Sequence, residues 1–166
     1  MMQFPVEVLA TGVSWTGSGI RSIESGLDNL LMAAKDEVIM SVYAIGRADR
    51  VMAKIHEALA RGVNITMIIN RYEVQPPHVR KILDELVEEF PSFSLFNFSP
   101  GRLYDLHAKV IVVDRSIALV GSSNLSRNGF IGNHELALIV RGSIAQQIAQ
   151  VVLQLTASTD CIRVRP

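Results

Sequence analysis

Short runs rich in β-branched residues recur along this chain, and stretches whose apolar residues repeat at helical spacing lie between several of them. That alternation constrains the fold more than any other feature. "EVIMSVYAI" (37–45), "VNITMIIN" (63–70), "FSLFNF" (93–98), "HAKVIVVD" (107–114), "IALVG" (117–121) and "HELALIV" (134–140) read as strands, and "VEVLA" (6–10) as a short one. Between them, Ile23, Leu27, Leu30 and Leu31 share one helical face after Ser22, a suitable N-cap. Val51, Ile55 and Leu59 do the same over 47–62, with Gly62 as a stop. Val79, Leu83 and Leu86 follow over 76–90, behind prolines suited to a first turn. A last helix spans about 143–155. The pattern predicts an α/β fold, a mixed sheet flanked by helices on both faces. The neighbouring strands at 107–113 and 117–121 predict a tight hairpin around Asp114-Arg115-Ser116. At 166 residues, one domain over 1–166 is the expectation.

Apolar residues make up 49% of the chain and aromatics only 6%, so aliphatic side chains must build the core. Sixteen basic residues balance sixteen acidic ones, so any surface for a polyanion must be a local patch. The single cysteine, Cys161, leaves no intrachain disulfide, and no Cys/His cluster has zinc-ligand spacing. The start "MMQFPVEVLATGVSW" has no basic segment leading into a long apolar one. The expectation is a cytoplasmic chain without a membrane anchor.

One strand carries a contradiction. The run 110–113 is apolar enough to be buried, yet His107 and Lys109 stand at its entrance. Side chains alternate along a strand, so these two project to the same face. Lysine supplies a fixed positive charge, and a neutral imidazole is available near pH 7 as a nucleophile or base. Asp114 has the opposite parity and sits at the far end of the run, which points to a turn-stabilising carboxylate rather than a substrate contact. Further along come Gly121, Ser122, Ser123 and Asn124, then Glu135.

Written out, "HAKVIVVDRSIALVGSSN" followed by "NHE" resembles the phospholipase D superfamily, whose motif is H-x-K-x4-D-x6-G-S-x-N with an acidic residue further on. Every position and both spacers are met. The resemblance implies a phospholipase D-like α-β-α sandwich and a phosphodiesterase needing no metal and no cofactor. It implies that His107 is the nucleophile that becomes a phosphohistidine, and that Lys109 and Asn124 hold the phosphoryl oxygens. Ser122 would help set the phosphate or the imidazole, and Glu135 would orient a histidine. Asp114 and Gly121 belong to the motif as structural positions, and Ser123 and Arg127 are the substrate contacts expected beside it.

That mechanism uses two imidazoles, and this chain has one motif. His56, His78 and His134 lie in no second H-x-K. The resemblance therefore implies a homodimer that brings two copies of 107–135 together. Nucleic acid is the expected substrate, as in single-motif nucleases of this kind. A lipid phosphodiesterase or phosphatidyltransferase, and a non-catalytic nucleic-acid-binding module, are the alternatives. Service in a larger defence or processing complex is compatible with so compact a domain.

Other residues stay open between function and packing. Arg47, Arg50, Arg71 and Arg102 could join Arg127 in gripping a backbone, or simply face solvent. Tyr104 and Phe130 could stack on a base or pack. "TGSG" (16–19) reads as a loop into a helix, since no P-loop lysine follows.

Overall fold

The computed structural model describes residues 6–15, 17, 19–101 and 104–165. Strands β1 (Val6–Thr11), β2 (Glu37–Val42), β3 (Asn64–Asn70), β4 (Phe93–Phe98), β5 (Lys109–Val113), β6 (Ile117–Gly121), β7 (Glu135–Arg141) and β8 (Cys161–Arg163) form one sheet. Their order is β1-β7-β6-β5-β2-β3-β4-β8. β2, β3 and β4 run parallel, and every other pairing is antiparallel. The helices are α1 (Ile23–Ala33), α2 (Asp49–Ala60), α3 (Pro77–Glu89) and α4 (Ser143–Gln154).

Strand alternation assigns each side chain to a layer. In β5, Ile111 and Val113 join the core against α1, α2 and α3, while Val110 and Val112 join a second core with Ala145, Ala149 and Val152 of α4. Both faces are covered, which is why the run is apolar at every position. Each fully buried aliphatic side chain of this kind stabilises by roughly 1.5–3 kcal/mol. The helices begin and end where their local chemistry dictates. Ser22 Oγ accepts from the Ser25 amide at 3.2 Å and caps α1, and α3 opens on Pro77. After α2 the chain turns at Gly62, whose φ of +89° suits a residue without Cβ. No helix among the described residues is long and apolar enough to cross a membrane.

The structure shifts some expected boundaries. The strand expected from His107 begins at Lys109, because β2 ends its pairing at the Ser41–Val110 partners and then turns away. For the same reason the strand expected to reach 45 stops at Val42, and Ile45 bridges to Leu125 instead. No sequence signal marks β8: it has three residues and two are exposed, too few to show alternation. A π turn, Asn128–Gly132, occupies part of what reads as loop. Of "TGSG", Thr16 and Ser18 lie outside the described residues, as does Arg102.

The expected hairpin forms. Asp114 and Arg115 are both left-handed, with φ of 49° and 50°, and the Ser116 amide donates to the Val113 carbonyl at 3.0 Å. Two successive left-handed residues match the twist of the flanking strands, and aspartate tolerates the conformation. The Asp114 carboxylate reaches beyond its own turn. It accepts from the amides of Lys35, Asp36 and Glu37 at 3.1, 2.9 and 2.9 Å, tying the hairpin to the entry of β2. Burial alone would raise the Asp114 carboxyl, but the amides of Glu37, Asp36 and Lys35 outweigh it and hold it below the usual range. Asp114→Ala should therefore cost about 2–3 kcal/mol at neutral pH, less than three full bonds because the freed amides regain water. A depressed carboxyl contributes stability above its unfolded value of about 3.9, and that contribution is lost as the pH falls through the folded value. Urea unfolding at pH 7 and pH 3 should show the gap between parent and variant narrowing in acid.

Candidate active site

The site lies at one end of the sheet, beside the point where topology reverses. The C-terminal ends of β2 and β3 emerge there, β5 and β7 begin there, and β6 ends there. The parallel set β2-β3-β4 extends to one side and the antiparallel set β5-β6-β7-β1 to the other, which opens a crevice between them.

Lys109 opens β5 and His107 precedes it on an exposed segment. Lys109 Nζ donates to the His107 carbonyl at 2.7 Å and stands 3.2 Å from His107 Nδ1. Tyr43, one residue beyond β2, completes the group. Its ring centroid is 4.6 Å from that of His107 and 4.9 Å from the Lys109 ammonium, within cation–π range. Burial lowers the Lys109 pKa, and the nearby Glu135 carboxylate opposes the shift. Less alkali is thus needed to discharge Lys109 than an ordinary lysine, whose value is about 10.4. The alkaline limb of kcat/KM should fall below that pH, and Lys109→Arg should move the limb upward because guanidinium stays charged. A pH–rate profile of both proteins checks this.

The "GSSN" turn brings the second half of the motif alongside. Gly121 sits where a Cβ would come within 2.5 Å of Ala137 Cβ and 2.7 Å of the Leu136 carbonyl, so only glycine lets β6 and β7 approach here. Ser122 Oγ donates to the Glu135 carboxylate and accepts from the Leu136 amide at 3.2 Å. Asn133 Nδ2 donates to the other Glu135 oxygen at 3.1 Å. Glu135 is therefore held by its own chain's Ser122 and Asn133, and among the described residues no hydrogen bond joins it to His107. Asn124 lines a cavity of about 20 Å³ with Lys109 and Tyr43, and its Oδ1 is buried without a hydrogen-bond partner among the described residues.

Ser123 does not stand with the expected substrate contacts. It is buried, and its Oγ donates to the Gly129 carbonyl at 2.8 Å, so it holds the loop. Arg127 is exposed on a separate cleft of about 330 Å³ that also takes in Arg47, Arg50, Glu24, Asp49 and Phe130. Phe130 lines both this cleft and the small cavity beneath Lys109 and Asn124. It is a buried packing residue, not a free stacking platform. Arg50 is committed to Asp28 at 2.6 Å, whereas Arg47 and Arg127 have no ion-pair partner among the described residues. Arg71 points elsewhere, to Asp105. Tyr104 is exposed and donates to Asp160 at 2.9 Å.

The remaining histidines keep apart from His107. His56 contacts Phe90 and Glu89, His78 is exposed on the first turn of α3, and His134 packs edge-on against Trp15. Among the described residues no three His, Cys, Asp or Glu side chains gather as metal ligands. Tyr43, Asn70, Asp105 and Gln75 lie outside the motif, and no spacing in the sequence marks them. Gln75 is buried, and its amide bonds the carbonyls of Tyr43 and Asn70 at 3.2 and 2.8 Å and the Ile45 amide at 3.2 Å. The one available signal was a polar residue closing an apolar strand, as Asn70 closes "NITMIIN".

Comparison with known proteins places the chain in a family and matches its fold. The family model described as "Cardiolipin synthase, PLD-like domain" matches residues 27–156. DISARM protein DrmC of Bacillus paralicheniformis is 30% identical over 156 residues, covering 92% of this chain and 64% of DrmC. Cardiolipin synthase A of Buchnera aphidicola is 27% identical over 138 residues, covering 81% of this chain and 27% of the synthase. The chain thus spans less than two thirds of either relative. Among solved structures, the phospholipase D family member Nuc from Salmonella typhimurium superposes with a TM-score of 0.78 at 20% identity, covering 97% of this chain and 98% of Nuc.

Proposed function

Because the chain belongs to the phospholipase D superfamily, we propose that it is a metal-independent phosphodiesterase that cleaves nucleic acid through a phosphohistidine on His107. The observation that carries the proposal is the exposed His107 imidazole with the Lys109 ammonium 3.2 Å from its Nδ1. One imidazole nitrogen attacks phosphorus, an N–P bond forms and the P–O bond to the leaving strand breaks. The leaving oxygen takes a proton from a second imidazolium. That imidazole then takes a proton from water as the water oxygen attacks phosphorus and the N–P bond breaks, which restores both histidines. Lys109 and the Asn124 amide balance the charge on the phosphoryl oxygens throughout.

The single chain holds only half of this. An Nδ1 that accepts from Lys109 leaves the proton of a neutral imidazole on Nε2, so Nε2 has no lone pair to offer. Attack through Nε2 needs a carboxylate to take the Nδ1 proton in place of Lys109. In a two-fold dimer, Glu135 of the partner subunit supplies that carboxylate and its His107 supplies the acid. The shared site of two such domains over residues 1–166, working in the cytoplasm, is the proposed enzyme.

Arg47 and Arg127 favour nucleic acid as the substrate, since these guanidiniums, without an ion-pair partner among the described residues, line a cleft whose Phe130 also walls the cavity beneath Lys109 and Asn124, and they suit backbone phosphates. Glu24 and Asp49 share the cleft, so the grip would come from directional Arg–phosphate contacts rather than from a broad positive field. The likeness to DrmC, a DISARM protein by its name, is compatible with service in a larger defence or processing complex. The likeness to cardiolipin synthase A supports a second reading, phosphatidyl transfer on lipid. Incubation with single- and double-stranded DNA and RNA, and with phosphatidylglycerol vesicles, all in excess EDTA, separates the readings. Cleavage of a nucleic acid that survives chelation is expected. Turnover of lipid alone would favour the second reading, and turnover restored only by magnesium would end the metal-independent one. Binding of nucleic acid without turnover would leave a non-catalytic module.

A further inference from the structure

We infer that Asn70, with Arg71 and Asp105, forms the clamp that positions His107; this rests on the reading of His107 as nucleophile. His107 lies outside β5, so no strand pairing fixes it. The segment before it is fixed instead by the end of β3. Asn70 Oδ1 accepts from the Leu106 amide at 2.9 Å, and its Nδ2 donates to Asp105 Oδ1 at 3.3 Å. Arg71 Nε donates to the same Asp105 oxygen at 2.7 Å, and its Nη2 donates to the Tyr104 carbonyl at 3.3 Å. Three successive residues before the imidazole are thus tied to two successive residues of β3 and its exit. On the far side, Ser41 Oγ donates to the Ala108 carbonyl at 2.9 Å. The nucleophile is bracketed between β3 and β2.

Two features separate this clamp from ordinary surface polar contacts. Asn70 is only 4% exposed, and a buried amide is costly unless hydrogen-bonded. Both ends of its amide serve the one segment that carries His107, and its own carbonyl is anchored by Gln75. A leucine there would be of similar size but would offer the Leu106 amide no acceptor. Arg71 is a non-glycine residue in the left-handed region, at φ 45°. Such strain persists only where surrounding contacts over-determine the backbone. Here the Arg71 amide donates to Phe98 at 2.8 Å while the guanidinium holds Tyr104 and Asp105. Asp105 is held below the usual carboxylate range, first by Arg71 and then by Asn70, as expected of a carboxylate that accepts from both. A displacement of the reacting atom by about 1 Å costs on the order of 100-fold in rate, which gives such a clamp catalytic weight without contact with substrate.

The test is an exchange of roles between positions 70 and 105. Asn70→Asp keeps an acceptor for the Leu106 amide but sets a second carboxylate against Asp105. Adding Asp105→Asn removes that repulsion; the new amide can turn its nitrogen to the carboxylate at position 70 and its oxygen to Arg71 Nε, whereas in the parent Asn70 Nδ2 and Arg71 Nε share the single Asp105 Oδ1. Asn70→Asp should lower kcat by roughly 10- to 100-fold with KM changed less than about threefold, the scale of lost supporting contacts. The double variant should recover about tenfold over Asn70→Asp. A double variant no faster than the product of the single effects would overturn the clamp. Hydrogen exchange at the Leu106 amide, followed by NMR in Asn70→Leu, reads the geometry without activity. Protection there should be lost while β3 amides stay protected, and unchanged protection would overturn the clamp whatever the kinetics. Lost protection in a chain whose parent turns over no diester would sink the reading of His107, and the positioning role with it.

Discussion

Replacement of His107 by alanine should lower the proposed turnover by roughly four to six orders of magnitude, the scale seen when a covalent nucleophile is deleted. It should do so without unfolding the chain. His107 is exposed and precedes β5, so alanine opens no core cavity and breaks no strand pairing. The lost contact with Tyr43 lies at the surface, where a substitution shifts stability by about 0.5 kcal/mol or less. Initial rates and thermal unfolding of the same preparations check both halves. A variant with parental rates would end the proposed chemistry.

Mixing parent and His107→Ala chains gives the second large effect. If each active centre needs both imidazoles, only dimers of two parent chains turn over. Equal amounts, unfolded together and refolded, should retain about one quarter of the activity of an all-parent sample at the same total concentration. Independent sites would retain one half. The same dependence should appear on dilution, where activity per chain falls through the range in which sedimentation shows dimers separating. The proposed requirement rests on the arrangement within one chain. Within one chain Glu135 is engaged by Ser122 and Asn133, and His107 Nδ1 faces Lys109, so carboxylate and imidazole do not meet.

The fold was legible because its elements carry strong periodic signals. β4 has the bounds its sequence shows, and α1 begins one residue after its capping serine. Boundaries slipped where tertiary contacts, rather than periodicity, end an element. Tyr43 and His107 look like strand residues in sequence, and both leave the sheet because β2 and β5 part at Ser41 and Val110. β8 is legible only from its partner, since three residues are too few to show alternation and it is defined by pairing Cys161, Ile162 and Arg163 with Phe98, Asn97 and Phe96 of β4.

At the site, the motif residues could be read from spacing, because spacing fixes which strand ends carry them. Their supports could not. Asn70, Arg71, Gln75 and Asp105 are ordinary polar residues whose partners are 5 to 36 positions away in the chain. Five candidate arginines looked alike in sequence. Only the fold shows that Arg47 and Arg127 share a cleft while Arg71 is spent on Asp105.

The most direct measurement is capture of the adduct itself. A short oligonucleotide labelled at each end in turn is mixed rapidly with the chain, and turnover is stopped in alkaline detergent, where a phosphoramidate on histidine survives. Peptide mapping should find one labelled fragment bound to His107, at about one label per two chains, released by acid and absent from His107→Ala. Turnover with no covalent label at any time point, or label on another residue, would contradict the account.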